Sequence, residues 1–298
     1  MPPDSGERLD RYMVRAGLVP SRRAAQELIA GGLVRVNGVR CRKSQTVTAN
    51  DRVEVAGALR AGSIEPNPDI AIETLYADDA LIIVNKPGSM PCHPLRSGER
   101  DTVMNGVVAQ FPETATAGDS PREGGLVHRL DNGTSGALII ARNRDAFAVL
   151  REAIRGGRIG RTYLALVSGA ATSPMELRAS IAHHGSNPRK MVPGEGASAN
   201  RKRAGRSATT MVEPVRRVGR STLVRAMPRS GSRHQIRVHL AAAGFPIVGD
   251  VLYGGAEVSG LPKDRFWLHL SELELDSPAG EHVKVTAPLP KELKSTMP

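Results

Sequence analysis

The first 60 residues begin with two short amphipathic stretches. Apolar residues recur at three- and four-residue intervals from Leu9 to Ala16, which predicts a helix over Glu7 to Gly17. A second helix is expected directly after it, with Ser21 as its N-cap and Gly31-Gly32 at its end. The chain is therefore predicted to open with a pair of helices.

A hairpin pattern follows the two helices. The apolar positions of Leu33 to Val36 and Val39 flank Asn37-Gly38, a dipeptide favoured in two-residue hairpin turns because both positions tolerate positive φ. Val53 to Val55 adds a further strand. We expect residues 1–60 to form one small domain of α and β elements.

A break in the pattern separates this domain from the rest. Residues 61–70 contain Gly62, Pro66 and Pro68 and few apolar groups. Because proline restricts both itself and the residue before it, we expect this segment to be a linker. Residues 71–298 would then form a second domain, in keeping with a chain length that commonly divides into about two domains.

The second domain combines strand and helix patterns in succession. Short apolar runs predict buried strands, and three- to four-residue periodicity predicts helices between them. This mixture favours an α+β fold. The predicted strands are Ala80 to Val84, Gly136 to Ala141, Tyr163 to Val167 and Ser221 to Ala226, and the predicted helices are Asp145 to Arg155 and His234 to Ala243.

The charge of the chain indicates a partner. Lys and Arg number 41 against 30 Asp and Glu, which gives a net charge of +11 at pH 7. Residues 187–237 hold thirteen basic side chains against two acidic ones, and residues 1–60 hold eleven against six. Concentrated positive charge favours a polyanion as partner, although a solvated basic surface would have the same composition.

Cysteine usage and hydropathy indicate the cellular compartment of the protein. Cys41 and Cys92 lie far apart without paired ligand spacing, so neither a disulfide framework nor a zinc site is indicated. The N-terminus lacks an apolar signal core, and no apolar run approaches the roughly 20 residues that span a bilayer. We therefore expect a cytoplasmic protein without membrane association. Residues 194–206, rich in Gly, Ala, Ser and Arg, are expected to form a mobile basic loop.

The densest group of chemically active residues runs from His128 to Gly136, directly before a predicted buried strand. A carboxylate in a polar, glycine-flanked loop is well placed for chemistry when a rigid strand supports the loop. Asp131 is that carboxylate, and the adjacent Arg129 favours its ionised form. On these residues alone, a salt-bridged turn remains an alternative to an active site.

The first domain resembles the small RNA-binding domain of ribosomal protein S4, over about residues 7–55. The resemblance is carried by the helix start Ser-Arg-Arg-Ala and by the hairpin sequence Val-Arg-Val-Asn-Gly. It implies that a basic helix face and hairpin grip structured RNA by shape and phosphate contacts. The basic residues concerned are Arg22, Arg23, Arg35, Arg40, Arg42 and Lys43.

The rest of the chain, about residues 72–290, resembles the RluA/RluD-type pseudouridine synthases. The motifs are His-Arg-Leu-Asp at 128–131, Arg-Thr-Tyr-Leu-Ala at 161–165 and His-Gln-Ile-Arg-Val-His-Leu at 234–240, with Lys86-Pro87 before them. The resemblance implies a catalytic domain with a mixed, largely antiparallel sheet. It also implies that Asp131 is the essential aspartate and that Arg129 helps to extrude the target nucleotide. Tyr163 would stack on the uracil, and Arg237 would pair with the aspartate.

The resemblance implies an enzyme that isomerises specific uridines in structured RNA to pseudouridine. No cofactor and no metal ion are expected, because the reaction needs neither a net redox change nor a group donor. The S4-like domain favours ribosomal RNA of the large subunit over transfer RNA as the substrate, and we expect a monomer.

Two other functions remain open at this stage. One is a non-catalytic RNA-binding or ribosome-assembly protein on the same fold. The other is a glycosidase-like hydrolase that uses Asp131, although no second carboxylate stands at a recognisable motif as its acid partner.

Overall fold

The structure, a computed structural model, describes residues 6–19, 22–42, 44–48, 50–55, 64–96, 98–194 and 205–297. The chain divides into two compact units, residues 1–63 and 64–298. Each unit has a hydrophobic core of its own. None of the helices in the described ranges is both long and apolar enough to cross a membrane.

The smaller unit contains two helices and five short strands among its described residues. These are β1 (Glu7–Arg8), α1 (Leu9–Arg15), α2 (Arg22–Ala30), β2 (Val34–Val36), β3 (Val39–Arg40), β4 (Thr46–Val47) and β5 (Val53–Val55). Strands β3, β2 and β5 form an antiparallel sheet in that order, and β1 pairs with β4. The predicted first helix is thus shorter at its start, because Glu7 and Arg8 pair with a strand instead.

The predicted hairpin turn is confirmed. Asn37 has φ of 54° and Gly38 has φ of 80°, so both turn residues have the positive φ that the dipeptide favours. The Asn37 side chain also donates to Asp51 Oδ1 at 2.7 Å and accepts from the Arg52 amide at 2.8 Å. These two bonds tie the turn to the chain ahead of β5.

A buried carboxylate joins the two helices of the smaller unit. Asp10, on α1, accepts hydrogen bonds from Arg8, Arg22 and Gln26, the last two on α2. Burial alone would raise the pKa of Asp10, but these three donors outweigh it and hold the pKa well below its usual range. Arg22, predicted to contact RNA, is therefore also part of the helix–helix contact, while its side chain remains half exposed.

The larger unit contains the remaining strands and helices. They are β6 (Glu73–Ala77), β7 (Leu81–Lys86), α3 (Val103–Gln110), β8 (Ser135–Ala141), α4 (Arg144–Arg155), β9 (Gly160–Ser168), β10 (Met175–His183), β11 (Met191–Pro193), β12 (Arg206–Val218), β13 (Ser221–Pro228), α5 (Gln235–Ala242), β14 (Leu268–Asp276), β15 (His282–Thr286) and α6 (Lys291–Ser295). Short 3₁₀ helices occupy Pro112–Thr116 and Val251–Tyr253.

One ten-stranded sheet organises the described part of this unit. Its order is β11, β10, β12, β13, β9, β14, β8, β7 and β6, and β15 pairs with the second half of β14. The β8–β14 pair is parallel, and the other described pairs are antiparallel. The mixed, largely antiparallel sheet of an α+β fold is therefore confirmed.

The parallel pair depends on a glycine. Gly136 lies opposite Leu270 in the register of β8 and β14 and has φ of 118°, which disfavours any other residue. A Cβ atom at this position would collide with the Leu270 backbone. The start of β8, directly after the Asp131 loop, is thereby held against β14.

The boundary between the units differs from the expected linker. Ile64 is buried in the core of the larger unit. Asn67 bonds through its amide N–H to the Asn105 carbonyl at 3.0 Å and through its side chain to the Arg100 carbonyl at 3.0 Å. Residues 64–70 thus belong to the larger unit, because Ile64 and Asn67 anchor a segment whose two prolines indicated a linker.

Two expectations fall outside the described ranges. They concern the Ser21 cap of the second helix and most of the basic loop at residues 194–206, of which 195–204 are not described. Trp267, the one tryptophan of the chain, is fully buried in the larger unit.

Buried imidazoles make the stability of the larger unit depend on pH. Burial lowers the pKa of His128 to about 3 and that of His269 to about 4. His269 is locked in its neutral form, since its Nδ1 pairs with the Ser135 hydroxyl at 2.8 Å and its Nε2 with the Ala287 carbonyl at 3.1 Å. In the unfolded chain both would titrate near 6.5.

We predict that the free energy of unfolding falls as the pH drops from 7 to 5. In this window the unfolded chain binds protons that the folded chain does not, so folding is disfavoured by about 1 to 2 kcal/mol for each buried imidazole. Urea unfolding at both pH values, followed by Trp267 fluorescence, measures the effect on the larger unit. The variant His269→Gln should show a smaller pH dependence, and a variant of the exposed His183, His183→Gln, should keep that of the wild type. Equal stability of the wild type at both pH values would contradict the prediction.

Candidate active site

The loop that carries Asp131 is fixed by bonds to its backbone. The Asp131 carbonyl accepts from the Thr134 amide at 3.0 Å, which closes a turn. Ahead of it, the buried Cys92 thiol bonds to both the amide and the carbonyl of Leu130. His128 accepts from the Ile139 amide at 3.2 Å and so ties the loop to β8. A polar loop is thus held in one conformation by its own supporting strand.

Lys86, at the end of β7, lies beneath the same loop. Its side chain is fully buried, and its ammonium donates to the carbonyls of Pro87 (2.8 Å), Asn132 (3.1 Å) and Thr134 (2.7 Å). Burial lowers the pKa of Lys86 to about 8, so the ammonium still predominates at neutral pH. Three carbonyls satisfy its three donors, and the lysine therefore acts as a clamp on the turn that presents Asp131.

A second buried cation completes the support of the loop. Arg265 donates through Nη1 to the carbonyls of Gly133 and Phe266 and through Nη2 to the Ser135 hydroxyl at 2.7 Å. That hydroxyl is the group bonded to His269 Nδ1. The loop from 132 to 135 is therefore held by donors from β7 and from the segment before β14, and by an acceptor on β14, His269 Nδ1.

The carboxylate of Asp131 meets Arg237 of α5. Arg237 Nη1 donates to Asp131 Oδ2 at 3.0 Å. Its Nε and Nη2 donate to the two oxygens of Asp250 at 2.6 and 2.8 Å. Burial alone would lower the pKa of Arg237, but the two carboxylates raise it, so the guanidinium remains charged. Arg237 thus stands between one buried acid and one that is 24% exposed.

Two aromatic rings close the faces of this guanidinium. The Arg237 Cζ atom lies 4.3 Å from the Phe266 ring centroid and 4.8 Å from that of Tyr253. Such stacking favours a cation and restricts its rotation. The position of Asp131 Oδ2 is therefore set by an arginine with little freedom of its own.

Asp131 also lines a small pocket. The pocket has a volume of about 80 Å³ and is lined by Tyr163, Arg161, Leu268 and Gln235 among others. Tyr163 lies on β9 and is buried, and burial raises its pKa to about 12, so its hydroxyl stays neutral. A larger groove of about 890 Å³ begins on the other side of Asp131.

Arg129 lies at the rim of the pocket and does not pair with its sequence neighbour. Its side chain is 63% exposed and bonds to Glu123 Oε1 at 3.2 Å. The cation that pairs with Asp131 is Arg237, 106 positions further along the chain. The structure therefore brings Asp131, Tyr163 and Arg237 together and leaves Arg129 at the opening.

The predicted RNA-contact residues belong to the smaller unit. Arg35, Arg40 and Arg42 are exposed on or beside the hairpin. Lys43 lies outside the described ranges, as does the side chain of Arg23. The exposed hairpin cations occupy a surface suited to phosphate contacts.

The pocket suits acid–base or nucleophilic chemistry of a carboxylate. One Asp131 oxygen is bonded to an arginine, and Asp131 lines the cavity together with the flat side chain of Tyr163. Within the described residues, no group of three or more His, Cys, Asp or Glu side chains could hold a metal ion.

Comparison with known proteins identifies the family. A family model described as RNA pseudouridylate synthase matches residues 80–242, and one described as S4 domain matches residues 7–53. The chain belongs to the RNA pseudouridine synthase family. The pocket around Asp131 therefore belongs to an enzyme that converts uridine in RNA to pseudouridine, and the smaller unit is its S4 RNA-binding domain.

Similar proteins span nearly the whole chain. The ribosomal large subunit pseudouridine synthase D of Xanthomonas campestris is 33% identical over 99% of this chain and 90% of that protein. The protein of the same name from Pseudomonas aeruginosa is 30% identical over 96% of this chain and 90% of that protein. The solved structure of human RNA pseudouridylate synthase domain containing 1 is 27% identical, covers 78% of this chain and 90% of that chain, and has a TM-score of 0.60.

Four supporting residues of this synthase have no role in the sequence-based prediction. Lys86 lies in a motif that indicated the family, yet nothing in the sequence shows that it is a buried partner of the Asp131 loop or that Asp250 is a buried partner of Arg237. Arg265 has no motif around it. His234 belongs to the motif at 234–240 without an expected role of its own, and it lines the pocket and the groove.

We predict that Lys86→Met destabilises the enzyme by about 2 to 4 kcal/mol, because it leaves three buried carbonyls without a donor. Pseudouridine formation should fall sharply in the same variant, since the Asp131 turn loses its clamp. Urea unfolding followed by Trp267 fluorescence measures the first effect, and product formation at low temperature measures the second. The matched control is Lys291→Met, which removes an exposed ammonium and should change neither quantity. Wild-type stability in Lys86→Met would show that the loop does not depend on this lysine.

Proposed function

We propose that Asp131 Oδ1 attacks the target uridine of a structured RNA and that this uridine lies in large-subunit ribosomal RNA. The observation that carries the first part is the asymmetry of the carboxylate. Its Oδ2 is bonded to Arg237, whereas Oδ1 lies 3.8 Å from His234 Nε2, beyond hydrogen-bond distance, and Asp131 lines a pocket together with Tyr163 and His234. A nucleophile splits a difficult bond exchange into two easier steps.

The bond changes conserve atoms and electrons within the nucleotide. The bond between ribose C1′ and uracil N1 breaks, the base turns, C5 bonds to C1′, and the C5 hydrogen leaves as a proton while N1 gains one. Attack of Asp131 on C1′ would form an ester that the C5 carbon displaces. The chemistry uses no oxidant, reductant or group donor, so the protein groups described above suffice.

Arg237 and Tyr163 have distinct roles in this proposal. Arg237 holds the nucleophile in one orientation, since its remaining donors are fixed by Asp250. Tyr163 stacks on the uracil, which stabilises an extruded base by about 1 to 3 kcal/mol. Its neutral hydroxyl and its place on a central strand make it a rigid platform.

Extrusion of the nucleotide is the role of Arg129. A base stacked in a helix lies out of reach of Asp131, so the target must flip out, at a cost of a few kcal/mol. Arg129 is exposed at the rim of the pocket and is held by one acidic partner, Glu123. It is therefore free to leave Glu123 and fill the space that the base vacates.

The choice of RNA rests on two kinds of support. The Xanthomonas campestris and Pseudomonas aeruginosa relatives carry names that specify the large ribosomal subunit. The S4 domain presents exposed cations on its hairpin, which suits recognition of folded RNA by shape and phosphate contacts. Transfer RNA, which has structured loops as well, is the competing substrate in the experiment below.

We predict that Asp131→Asn abolishes pseudouridine formation and leaves RNA affinity within about threefold of the wild type. The amide cannot act as a nucleophile, yet it fills the same volume beside Arg237. Carbodiimide-dependent primer-extension stops, mapped in total RNA from cells that lack the gene and from cells restored with wild type or variant, identify the site and its RNA. Asp119→Asn, which neutralises an exposed acid, is the matched control and should restore the site fully.

Each outcome of the mapping has a clear meaning. A site in large-subunit ribosomal RNA restored only by the wild type and by Asp119→Asn would support the whole proposal, whereas a transfer RNA site would overturn the choice of RNA alone. Restoration by Asp131→Asn would overturn the mechanism. Absence of any lost site would favour a non-catalytic role in ribosome assembly, and release of free uracil in vitro would favour hydrolysis.

We also predict that replacing Arg35, Arg40 and Arg42 by Gln weakens RNA binding and flattens its salt dependence. Each lost phosphate contact should reduce the slope of log K against log salt by about 0.7 to 0.9. Filter binding of a large-subunit ribosomal RNA transcript between 50 and 300 mM salt, roughly the range over which such contacts are screened, measures the slope. Arg52→Gln serves as the control, because Arg52 is already paired with Glu54. An unchanged slope in the triple variant would exclude the hairpin as a phosphate-binding surface.

A further inference from the structure

His234 has an unusual backbone conformation beside the active-site carboxylate. It precedes α5 as the N-cap and has φ of 56° and ψ of 21°, the left-handed region that non-glycine residues seldom occupy. Such outliers cluster at functional sites. Its ring is mostly buried and lines both the small pocket and the larger groove, so it lies where the two meet at Asp131.

A chain of hydrogen bonds fixes the tautomer of this imidazole. The Met191 amide donates to the Tyr253 hydroxyl oxygen at 2.9 Å, and the same hydroxyl lies 2.8 Å from His234 Nδ1. Because the hydroxyl already accepts from an amide, its own proton is available to Nδ1. We assign the ring proton to Nε2 on this basis.

The environment keeps the ring neutral. Burial lowers the pKa of His234 to about 4, and Arg237 and Arg233 act in the same direction. Asp131 and Asp250 act in the opposite direction without offsetting the burial. At neutral pH the Nε2–H is thus a hydrogen-bond donor and not an acid.

This nitrogen lies near the Asp131 oxygen that Arg237 does not hold. His234 Nε2 lies 3.8 Å from Asp131 Oδ1, too far for a hydrogen bond and close enough for both atoms to touch the same nucleotide. An atom attacked by Oδ1 must come within about 3 to 3.5 Å of it. When the bond from C1′ to N1 breaks, negative charge develops on the uracil, and its O2 carbonyl oxygen is the one closest to C1′ that carries this charge.

We propose that the Nε2–H of His234 donates a hydrogen bond to O2 of the target uracil and stabilises the charge that develops there. The proposal rests on attack by Asp131 and adds a catalytic residue to it. No proton is transferred in this step, since the imidazole remains neutral throughout.

Two variants of His234 separate the effect of losing the Nε2–H donor from an effect on folding. Asn tolerates the left-handed backbone, and its side-chain oxygen reaches about as far as Nδ1, so His234→Asn keeps the acceptor for Tyr253 and removes the distal donor. Gln is one carbon longer, so His234→Gln restores an N–H near the position of Nε2. The single-turnover rate constant of pseudouridine formation and the dissociation constant, both on the ribosomal RNA transcript, are measured for each.

The expected result is a loss of rate without a loss of binding. His234→Asn should lower the rate constant about 10²- to 10³-fold, as removal of one preorganised donor does, with the dissociation constant within about twofold. His234→Gln should recover at least about tenfold of that loss. A wild-type rate in His234→Asn, or equal losses in both variants, would overturn the proposal.

A substrate change tests the same bond in the unaltered enzyme. A synthetic RNA hairpin with 2-thiouridine at the mapped target replaces O2 by sulfur, a poor acceptor, while 4-thiouridine changes the distant carbonyl. The 2-thio substitution should slow the wild type far more than it slows His234→Asn, and the 4-thio substitution should affect both alike. Equal slowing of both enzymes by 2-thiouridine would contradict the contact, even if a variant folded poorly.

Failure of this proposal is distinguishable from failure of the proposed function. An active Asp131→Asn would remove the attack on which both depend. An inactive Asp131→Asn together with a wild-type rate in His234→Asn would leave the function intact and remove His234 from it.

Discussion

The proposed active site is organised around a buried arginine that must stay paired. Arg237 cannot lose its proton, and a guanidinium without partners in this position would cost several kcal/mol. Asp250 satisfies two of its N–H groups, Asp131 a third, and the rings of Tyr253 and Phe266 cover its faces. One cation between two carboxylates leaves one negative charge in excess. Asp250 is the more deeply buried acid and accepts two bonds from the guanidinium, whereas Asp131 accepts one and lines the pocket.

The same constraint explains why so many hydrogen bonds hold the loop that carries Asp131. A carboxylate so close to a fixed guanidinium tolerates little displacement, and the loop before β8 has few side chains that could anchor it by packing. Its backbone carbonyls instead accept hydrogen bonds from Lys86 and Arg265, two buried cations. Thus the site uses three buried cations, one to hold the carboxylate and two to hold the peptide groups around it.

Local patterns predicted those parts of the fold that depend on neighbours in sequence. The fully buried strand β8 and the Asn37-Gly38 turn follow from an apolar run and from the φ preference of two residues. The long strand β12 was not predicted, either in position or in length. Its polar and basic residues obscure the alternation of apolar and polar positions, and a bulge interrupts the strand near Pro214. Strand β14 contacts three other strands, which no local pattern specifies. Residues 64–70 were assigned to a linker because composition cannot show that Ile64 finds a core to enter.

The site was predictable to the extent that its motifs are local. Asp131, Tyr163 and Arg237 were singled out from the runs of residues around them, and the structure brings these three together. Lys86, Arg265 and Asp250 were not, since a charged residue in a sequence is expected at the surface unless its partner is known. Their partners in the Asp131 loop and at Arg237 lie between 13 and 132 positions away. The burial of charged side chains is thus the property that the sequence predicts least well. These buried charges hold Asp131 and Arg237 in place.

The two units of the chain have separate hydrophobic cores, and this has a consequence for how such a protein changes over generations. A substitution inside the smaller core does not disturb the packing of the larger one. The S4 domain can therefore change in sequence, or be replaced, while the larger unit keeps its structure. Such enzymes would therefore acquire new RNA targets more readily than new reactions.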